Sequence, residues 1–333
     1  MLPIRIKGTG IYAPGEPIDN ATLKQLAGIE FDAEKIERKI GIRQRHIAHL
    51  RGMQETTVDF AEKAVLNALE DAGIDPEEVG LFILATDTPE YITPAGAILL
   101  QGRIQKGERW SMAFDIAASC ASFTMAMEAA SSLLMSAGYK YAVIAGVYNM
   151  PAFLRPDDSF GYSIFADGAA AFVLEKTEST SSYIGSQMLT DGTQYDYIGI
   201  YAGGSKMPVT HQLLDEHKNG LLSLQALPGD RNVRLWPMIV NQLLTKYQTP
   251  IETIDHFIFT QINKSVIEKV MNALEQPMNK TTMVMDRYGY TGSACVGMAF
   301  HEAVKSGVVK RGDKVVFMAS GAGLAVGSNL FIY

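Results

Sequence analysis

Residues 58–72 of the chain, VDFAEKAVLNALEDA, place apolar side chains at 58, 61, 65, 68, 69 and 72, the period of an amphipathic helix. Thr56 and Asp59 stand at the spacing of a capping box just before it. A turn, GIDPEEVG, and a continuous apolar strand, LFILAT, follow. Half a chain later the plan recurs within 238–261, as helix MIVNQLLTKY, turn QTPIETID and strand HFIFTQ. A second module recurs with it. Residues 120–138 read as a helix of small and apolar residues ending in Gly138, followed by Lys140 and the strand YAVIAGV. Residues 293–307, SACVGMAFHEAVKSG, repeat that helix and its final glycine, followed by Lys314 and VVFMAS. Helices alternating with continuous apolar strands demand sheets covered on both faces. The matched order of two modules predicts an α/β protein of two similar halves around a pseudo-twofold axis, 1–180 and 181–333. Between the repeats, 186–236 is irregular and rich in Gly, Asp and Pro, and is read as a cap over a substrate cavity.

Composition narrows the function. With 333 residues, 47% of them hydrophobic, the chain is ample for a large core. A net charge of −7 argues against nucleic acid as a main partner. The richest apolar region, 111–154, is interrupted by Asp115, Glu128 and Lys140, so no membrane span is expected. The N-terminus reads as a strand and a turn rather than a signal segment, and two cysteines make no disulfide framework; a reduced, cytoplasmic setting is the expectation. The six histidines show no metal-ligand spacing, so no metal is expected.

One cysteine has a chemical setting. In FDIAASCASFTMAMEAASSLLMSAG (114–138), Cys120 follows an apolar run and small residues and stands where a long helix begins. A helix N-terminus carries partial positive charge and unpaired N–H groups, which favour thiolate over thiol. The small neighbours Ala117, Ala118, Ser119 and Ala121 leave room for a bulky thioester. The same residues also suit a small cysteine packed in a core.

Taken in order, IKGTGIYAPGEPIDN, KIGIRQRHIA, LFILATDTPEYITPAGA, FDIAASCASF, IFADGAAAFVLE and GYTGSACVGMAFHEAVKSGVVKRGDKVVFMASGAGLAVGS resemble the ketoacyl synthase III enzymes of the thiolase superfamily. The resemblance spans nearly the whole chain. It implies a thiolase-like, five-layered αβαβα fold and a homodimer. It also implies an acyl group taken from a thioester onto Cys120, with acyl-CoA or acyl-phosphopantetheine of acyl carrier protein as substrate and no cofactor. An oxyanion formed at the attacked carbonyl needs donors. The resemblance assigns the N–H of Cys120 and one from SGAGLAVGS, where Ala322 replaces a glycine of the family.

The departures from the family are specific. The family histidine of an HQAN-like motif falls at Thr260 in FTQINKSV, with Gln261 and Asn263 matching the rest. The family asparagine of a GNT-like turn falls at Tyr290 in GYTGS. Both positions assist malonyl decarboxylation in the family. Gln261 and Asn263 also have a purely structural reading, with Ser265 and Glu268 capping the next helix. Asp87 ends LFILAT where related hydroxymethylglutaryl-CoA synthases carry an acid–base glutamate; it also suits a turn residue, and Glu90 is a second candidate. The basic run 35–51, which includes Lys39 and Arg43, reads as a docking surface for phosphopantetheine or an acidic carrier protein, or as a solvated face. Lys39 occupies a family arginine position, whereas Lys35 and Ser159 replace the pair that holds CoA adenine. The leading expectation is an atypical acyltransferase or condensing enzyme working through acyl-Cys120. The alternatives are a genuine 3-oxoacyl carrier-protein synthase with Thr260 and Tyr290 as substitute donors, or a non-catalytic partner subunit of an active homologue.

Overall fold

The computed structural model describes residues 3–178 and 182–333, so the expected boundary between the halves at 180/181 lies outside the described residues. The principal strands are β1 (Ile4–Tyr12), β2 (Val79–Ala85), β3 (Met112–Ile116), β4 (Tyr141–Tyr148), β5 (Gly168–Lys176), β6 (Ser182–Gln194), β7 (His256–Phe259), β8 (Lys314–Gly321) and β9 (Gly323–Ile332). The principal helices are α1 (Thr57–Ala72), α2 (Gly96–Gln105), α3 (Ser122–Ser136), α4 (Arg231–Lys246), α5 (Lys264–Ala273) and α6 (Cys295–Lys305).

The strands form two sheets. One runs β1-β5-β4-β2-β3, the other β6-β9-β8-β7. In both, the first two pairings are antiparallel and the next is parallel. The second sheet therefore repeats the first but for its last strand. Where β3 pairs along β2 in parallel, only a single bridge from Phe257 to Thr281 adjoins β7.

Five layers result. Helices α1 and α2 cover the outer face of the first sheet, α3 and α6 lie between the two sheets, and α4, backed by α5, covers the outer face of the second. Strands β2 and β4 are buried along their whole length, as strands covered on both sides must be. At the centre, Phe123 of α3 meets Phe172 of β5 edge-on with ring centroids 4.9 Å apart. Phe300 of α6 bridges Phe172 at 5.2 Å to Phe317 of β8 at 5.0 Å. Aromatic packing of this kind welds both sheets to the central helices.

Local signals explain most element ends. The N–H of Thr56 donates to Asp59 Oδ2 at 2.8 Å, and Gly73 closes α1 in the left-handed region at φ 63°. Two boundaries differ from the sequence reading. Helix α4 begins at Arg231, with Pro237 inside it, rather than at Met238. Helix α5 is capped by Asn263, whose Oδ1 accepts from Val266 N–H at 3.3 Å, and not by Ser265, whose hydroxyl donates to Lys39 O at 2.8 Å.

Candidate active site

The carboxyl ends of the central strands converge on Cys120, the place where open parallel sheets gather their ligands. Asp87 follows β2, Tyr148 ends β4, and Ser320 and Gly321 end β8. All four line, with Cys120, a cavity of about 290 Å³. Its far wall comes from the segment expected to be a cap. Ile198, Ile200 and Leu221, on a short ribbon of Ile198–Ile200 and Leu221–Ser223, face it together with Leu227 and Arg231.

Cys120 sits two residues before α3, in a loop that the structure holds tightly. Ser122 Oγ accepts from Ala118 N–H at 2.8 Å and donates to Ser119 O at 2.5 Å. Ser119 stands at φ 52°, a left-handed conformation that costs a non-glycine residue energy. Gly321 lies against this loop so closely that a Cβ there would come 2.7 Å from Cys120 N and 2.8 Å from Ala118 O. The two cysteines of the repeated modules occupy different environments. Cys295 is packed under Gln261, whose N–H donates to its sulfur at 3.4 Å, and it lines no part of the cavity.

The thiol is flanked on two sides. The hydroxyls of Tyr290, Tyr148 and Ser119 neighbour the sulfur and favour its thiolate form. Ser119 Oγ donates to Asp87 Oδ2 at 2.9 Å, which places hydroxyl and carboxyl together beside the sulfur. The other carboxyl oxygen, Asp87 Oδ1, is buried without a partner. The turn around Asp87 does not need its side chain, because Thr88 N–H already bonds Thr86 Oγ1 at 3.0 Å. Burial raises the Asp87 pKa above its ordinary value, against the hydrogen bond from Ser119. Burial, and then the Asp87 charge, push the Cys120 thiol up to about 12, against the neighbouring hydroxyls. The sequence reading weighed only the helix start, which favours thiolate; burial works the other way.

Tyr290 is fixed by its backbone. Its N–H donates to Ile164 O at 2.9 Å and its carbonyl accepts from Ala166 N–H at 3.0 Å, which clamps the second half's turn onto the first half. The rings of Tyr148, Phe165 and Tyr290 pack mutually at 5.8–6.1 Å. Thr260 is placed differently from the expectation. It is fully buried, its Oγ1 accepts from Ser320 N–H at 3.1 Å, and it does not line the cavity. Of the two replaced family positions, 290 therefore lines the cavity and 260 does not. Gln261 is spent on structure, donating to Phe259 O and Thr282 O and accepting from Val284 N–H. Glu90 caps α1 by accepting from Val58 N–H at 2.9 Å. Ala322 lines the cavity without a positive φ, so alanine there costs no backbone strain, and the turn's left-handed residue is Gly323 at φ 123°.

Asn263 faces elsewhere. With Lys35, Lys39, Ser159 and the aromatic rings of Phe31 and Phe160 it lines a second, surface cavity of about 430 Å³. Of the basic run, Lys35, Arg38, Lys39 and Arg43 are exposed, although Arg43 lines neither cavity. Arg45 is fully buried and donates to Ser163 O at 2.8 Å, and Arg51 is pinned to Pro17 O at 2.7 Å, so these two belong to the fold. No group of potential metal ligands exists among the described residues, and no helix among them is long and apolar enough to cross a membrane.

Tyr148 and Arg231 are among the cavity residues that the sequence reading missed. Tyr148 carried a usable signal, as the last residue of a continuous apolar strand next to a site-bearing one. Arg231 was masked by Pro237, which reads as a helix boundary.

Comparison with known proteins gives a consistent picture. The family description "3-oxoacyl-[acyl-carrier-protein (ACP)] synthase III" matches residues 114–192, and its C-terminal counterpart matches 244–333. The beta-ketoacyl-[acyl-carrier-protein] synthase III of Aliarcobacter butzleri is 32% identical over 334 residues, covering 99% of this chain and 98% of that protein. The protein of the same name from Caldanaerobacter subterraneus is 30% identical over 325 residues, covering 98% and 96%. Among solved structures, 3-oxoacyl-[acyl-carrier-protein] synthase III from Aquifex aeolicus superposes with a TM-score of 0.85 at 29% identity, over 99% of this chain and all of that one.

Proposed function

The chain belongs to the 3-oxoacyl-[acyl-carrier-protein] synthase III family of condensing enzymes, with its thiolase-like fold, and from that premise we propose that it is an acyltransferase working through acyl-Cys120. One observation carries the reading: a buried thiol lines a cavity together with Ser119, whose hydroxyl donates to Asp87, and with Tyr148 and Tyr290, whose hydroxyls favour its thiolate form.

A thiol held near 12 needs its proton removed as it attacks. In the proposed step Cys120 Sγ bonds to the thioester carbonyl carbon while its proton moves to Ser119 Oγ and the Ser119 proton moves to Asp87. The carbonyl oxygen gains negative charge and lies between the N–H groups of Cys120 and Ala322. Collapse of the adduct breaks the bond to the departing pantetheine sulfur, which takes the proton back along the same chain. Tyr148 and Tyr290 donate to sulfur and stabilise its developing charge, hydrogen bonds to charged groups being the strong ones. The donor is CoA or a carrier protein docking at the Lys35–Lys39 cavity, whose Phe31 and Phe160 supply apolar surface although Lys35 and Ser159 replace the family's adenine-holding pair.

In the second half-reaction the acyl group passes to an acceptor. Tyr290 fills space that an asparagine leaves open, and Thr260 offers no donor in the cavity, so malonyl decarboxylation is slow and transfer to an oxygen, nitrogen or other carbon nucleophile is favoured. The test is intact-protein mass spectrometry after incubation with acyl-CoA or acyl carrier protein. One acyl mass is expected on the native protein and on Cys120→Ala none; Cys295→Ala should load normally. Loading that persists in Cys120→Ala, or no loading of the native protein by any donor, overturns the reading.

A further inference from the structure

Arg231 has no evident role in the fold. It is the first residue of α4, half-buried, and it lines the same cavity as Cys120. Its recorded hydrogen bond goes from Nη1 to a neutral amide, Gln194 Oε1, at 3.3 Å. Among the described residues none of the ion pairs includes it. It shares the cavity wall with Tyr290 and Cys120, and burial lowers its pKa. Much of the wall around it is apolar, from Phe165, Ile198, Ile200, Leu221, Leu227 and Ile262.

A guanidinium that is partly desolvated without a counter-charge is costly, and a cavity for a plain alkanoyl chain gains nothing from it. Its planar fork of donors matches a carboxylate bidentately. Asn232, the next residue, lines the cavity beside it and adds a polar amide. The cavity of about 290 Å³ leaves room for a short chain with a charged end.

We infer that Arg231 is a specificity-determining residue that binds a substrate carboxylate in the Cys120 cavity, so that the site takes a carboxylate-bearing substrate rather than a simple alkanoyl group. The inference rests on the proposed reading of this cavity as the acyl site. The carboxylate arrives either as the far end of the acyl group, in a dicarboxylic half-thioester, or on the acceptor.

The experiment has three arms. In the first, loading of Cys120 by succinyl and glutaryl thioesters is compared with butyryl and valeryl thioesters by intact mass. A preference for the acidic donors that falls about 10- to 100-fold in Arg231→Met, and is partly kept in Arg231→Lys, supports the inference with the donor as source; the magnitude is that of a charge-assisted hydrogen-bonded pair. In the second, pre-acylated enzyme is discharged by β-alanine, an amine that bears a carboxylate, or by the neutral propylamine. Selective loss of the first discharge in Arg231→Met supports the inference with the acceptor as source. In the third, calorimetry measures binding of free glutarate and free valeramide to native protein and both variants, with circular dichroism confirming that each variant is folded. Glutarate binding that vanishes in Arg231→Met supports the inference even when no donor loads, in which case the reading of Cys120 falls alone. Normal loading with no difference between native and Arg231→Met in any arm overturns the inference and leaves the acyltransferase reading standing.

Discussion

Asp87→Asn should move two reactions of Cys120 in opposite directions. Asp87 raises the thiol pKa by its charge and, in the proposed chain, also accepts the thiol's proton through Ser119. Two hydrogen bonds in series span about 6 Å; at an effective dielectric of about 20, charges so separated interact by about 3 kcal/mol. That is about two pH units, so the thiol held near 12 falls toward about 10 in the asparagine variant. At neutral pH the thiolate fraction then rises about 100-fold. A thiolate of lower basicity is less nucleophilic, with a Brønsted slope of about 0.45, which removes about 8-fold of that gain. Alkylation by iodoacetamide, which needs only thiolate, should therefore speed up by about 10-fold. Acyl loading, which needs the proton taken away during attack, should slow by about 10²–10⁴, the usual worth of a positioned base. Stopped alkylation time courses and quenched-loading mass spectra on the same two proteins read both numbers. Both rates unchanged within twofold, or both rates falling together, would refute the reasoning: the first outcome means that Asp87 carries no charge that Cys120 feels, the second that the variant has lost the loop.

Tyr148→Phe and Tyr290→Phe should each slow loading by about 10-fold or more and raise the pH needed for alkylation, because each removes a donor to the sulfur; single-turnover loading across a pH series checks this. Buried His256 titrates at about 4 rather than near 6.5, because burial disfavours its charged form. Its neutral form is favoured by folding, so that stability is full above about 6.5 and is lost as pH falls toward about 4, by at most about 3 kcal/mol. Urea unfolding of the native protein and His256→Gln over that window should show the native slope and a flatter one in the variant.

The fold was legible because its cause is repeated. Two amphipathic helices, two runs of continuous apolar strand and two glycine-ended central helices are satisfied by covered sheets, whereas the order in which the strands pair was not read from the sequence. The site was legible only where chemistry and position coincide locally. Cys120 stands out by its small neighbours and its place before a helix, whereas Tyr290 was found only through the family resemblance, as the residue at a family asparagine position. Thr260 looked equivalent to Tyr290 in the sequence, yet β7 ends one residue short of it and Ser320 covers its hydroxyl. The pKa of Cys120 is a sum over burial, a carboxylate from another strand and tyrosines from two halves, none of which lies near it in sequence. Arg231 lay beyond reach for a different reason: propensity ends a helix at Pro237, whereas packing of Leu235 and Trp236 against the second sheet carries α4 two turns further.

The left-handed Ser119 has a consequence for anyone who would improve this protein. Glycine accepts φ 52° freely, whereas serine pays about 1 kcal/mol or more to hold it. Ser119→Gly relieves that angle but takes a donor from the buried Asp87 carboxyl, at about 1–3 kcal/mol or more, and loosens the unfolded chain, so the substitution gains no heat resistance. The strained angle is thus held in place by the carboxyl it serves, and a stability screen alone leaves this codon as serine.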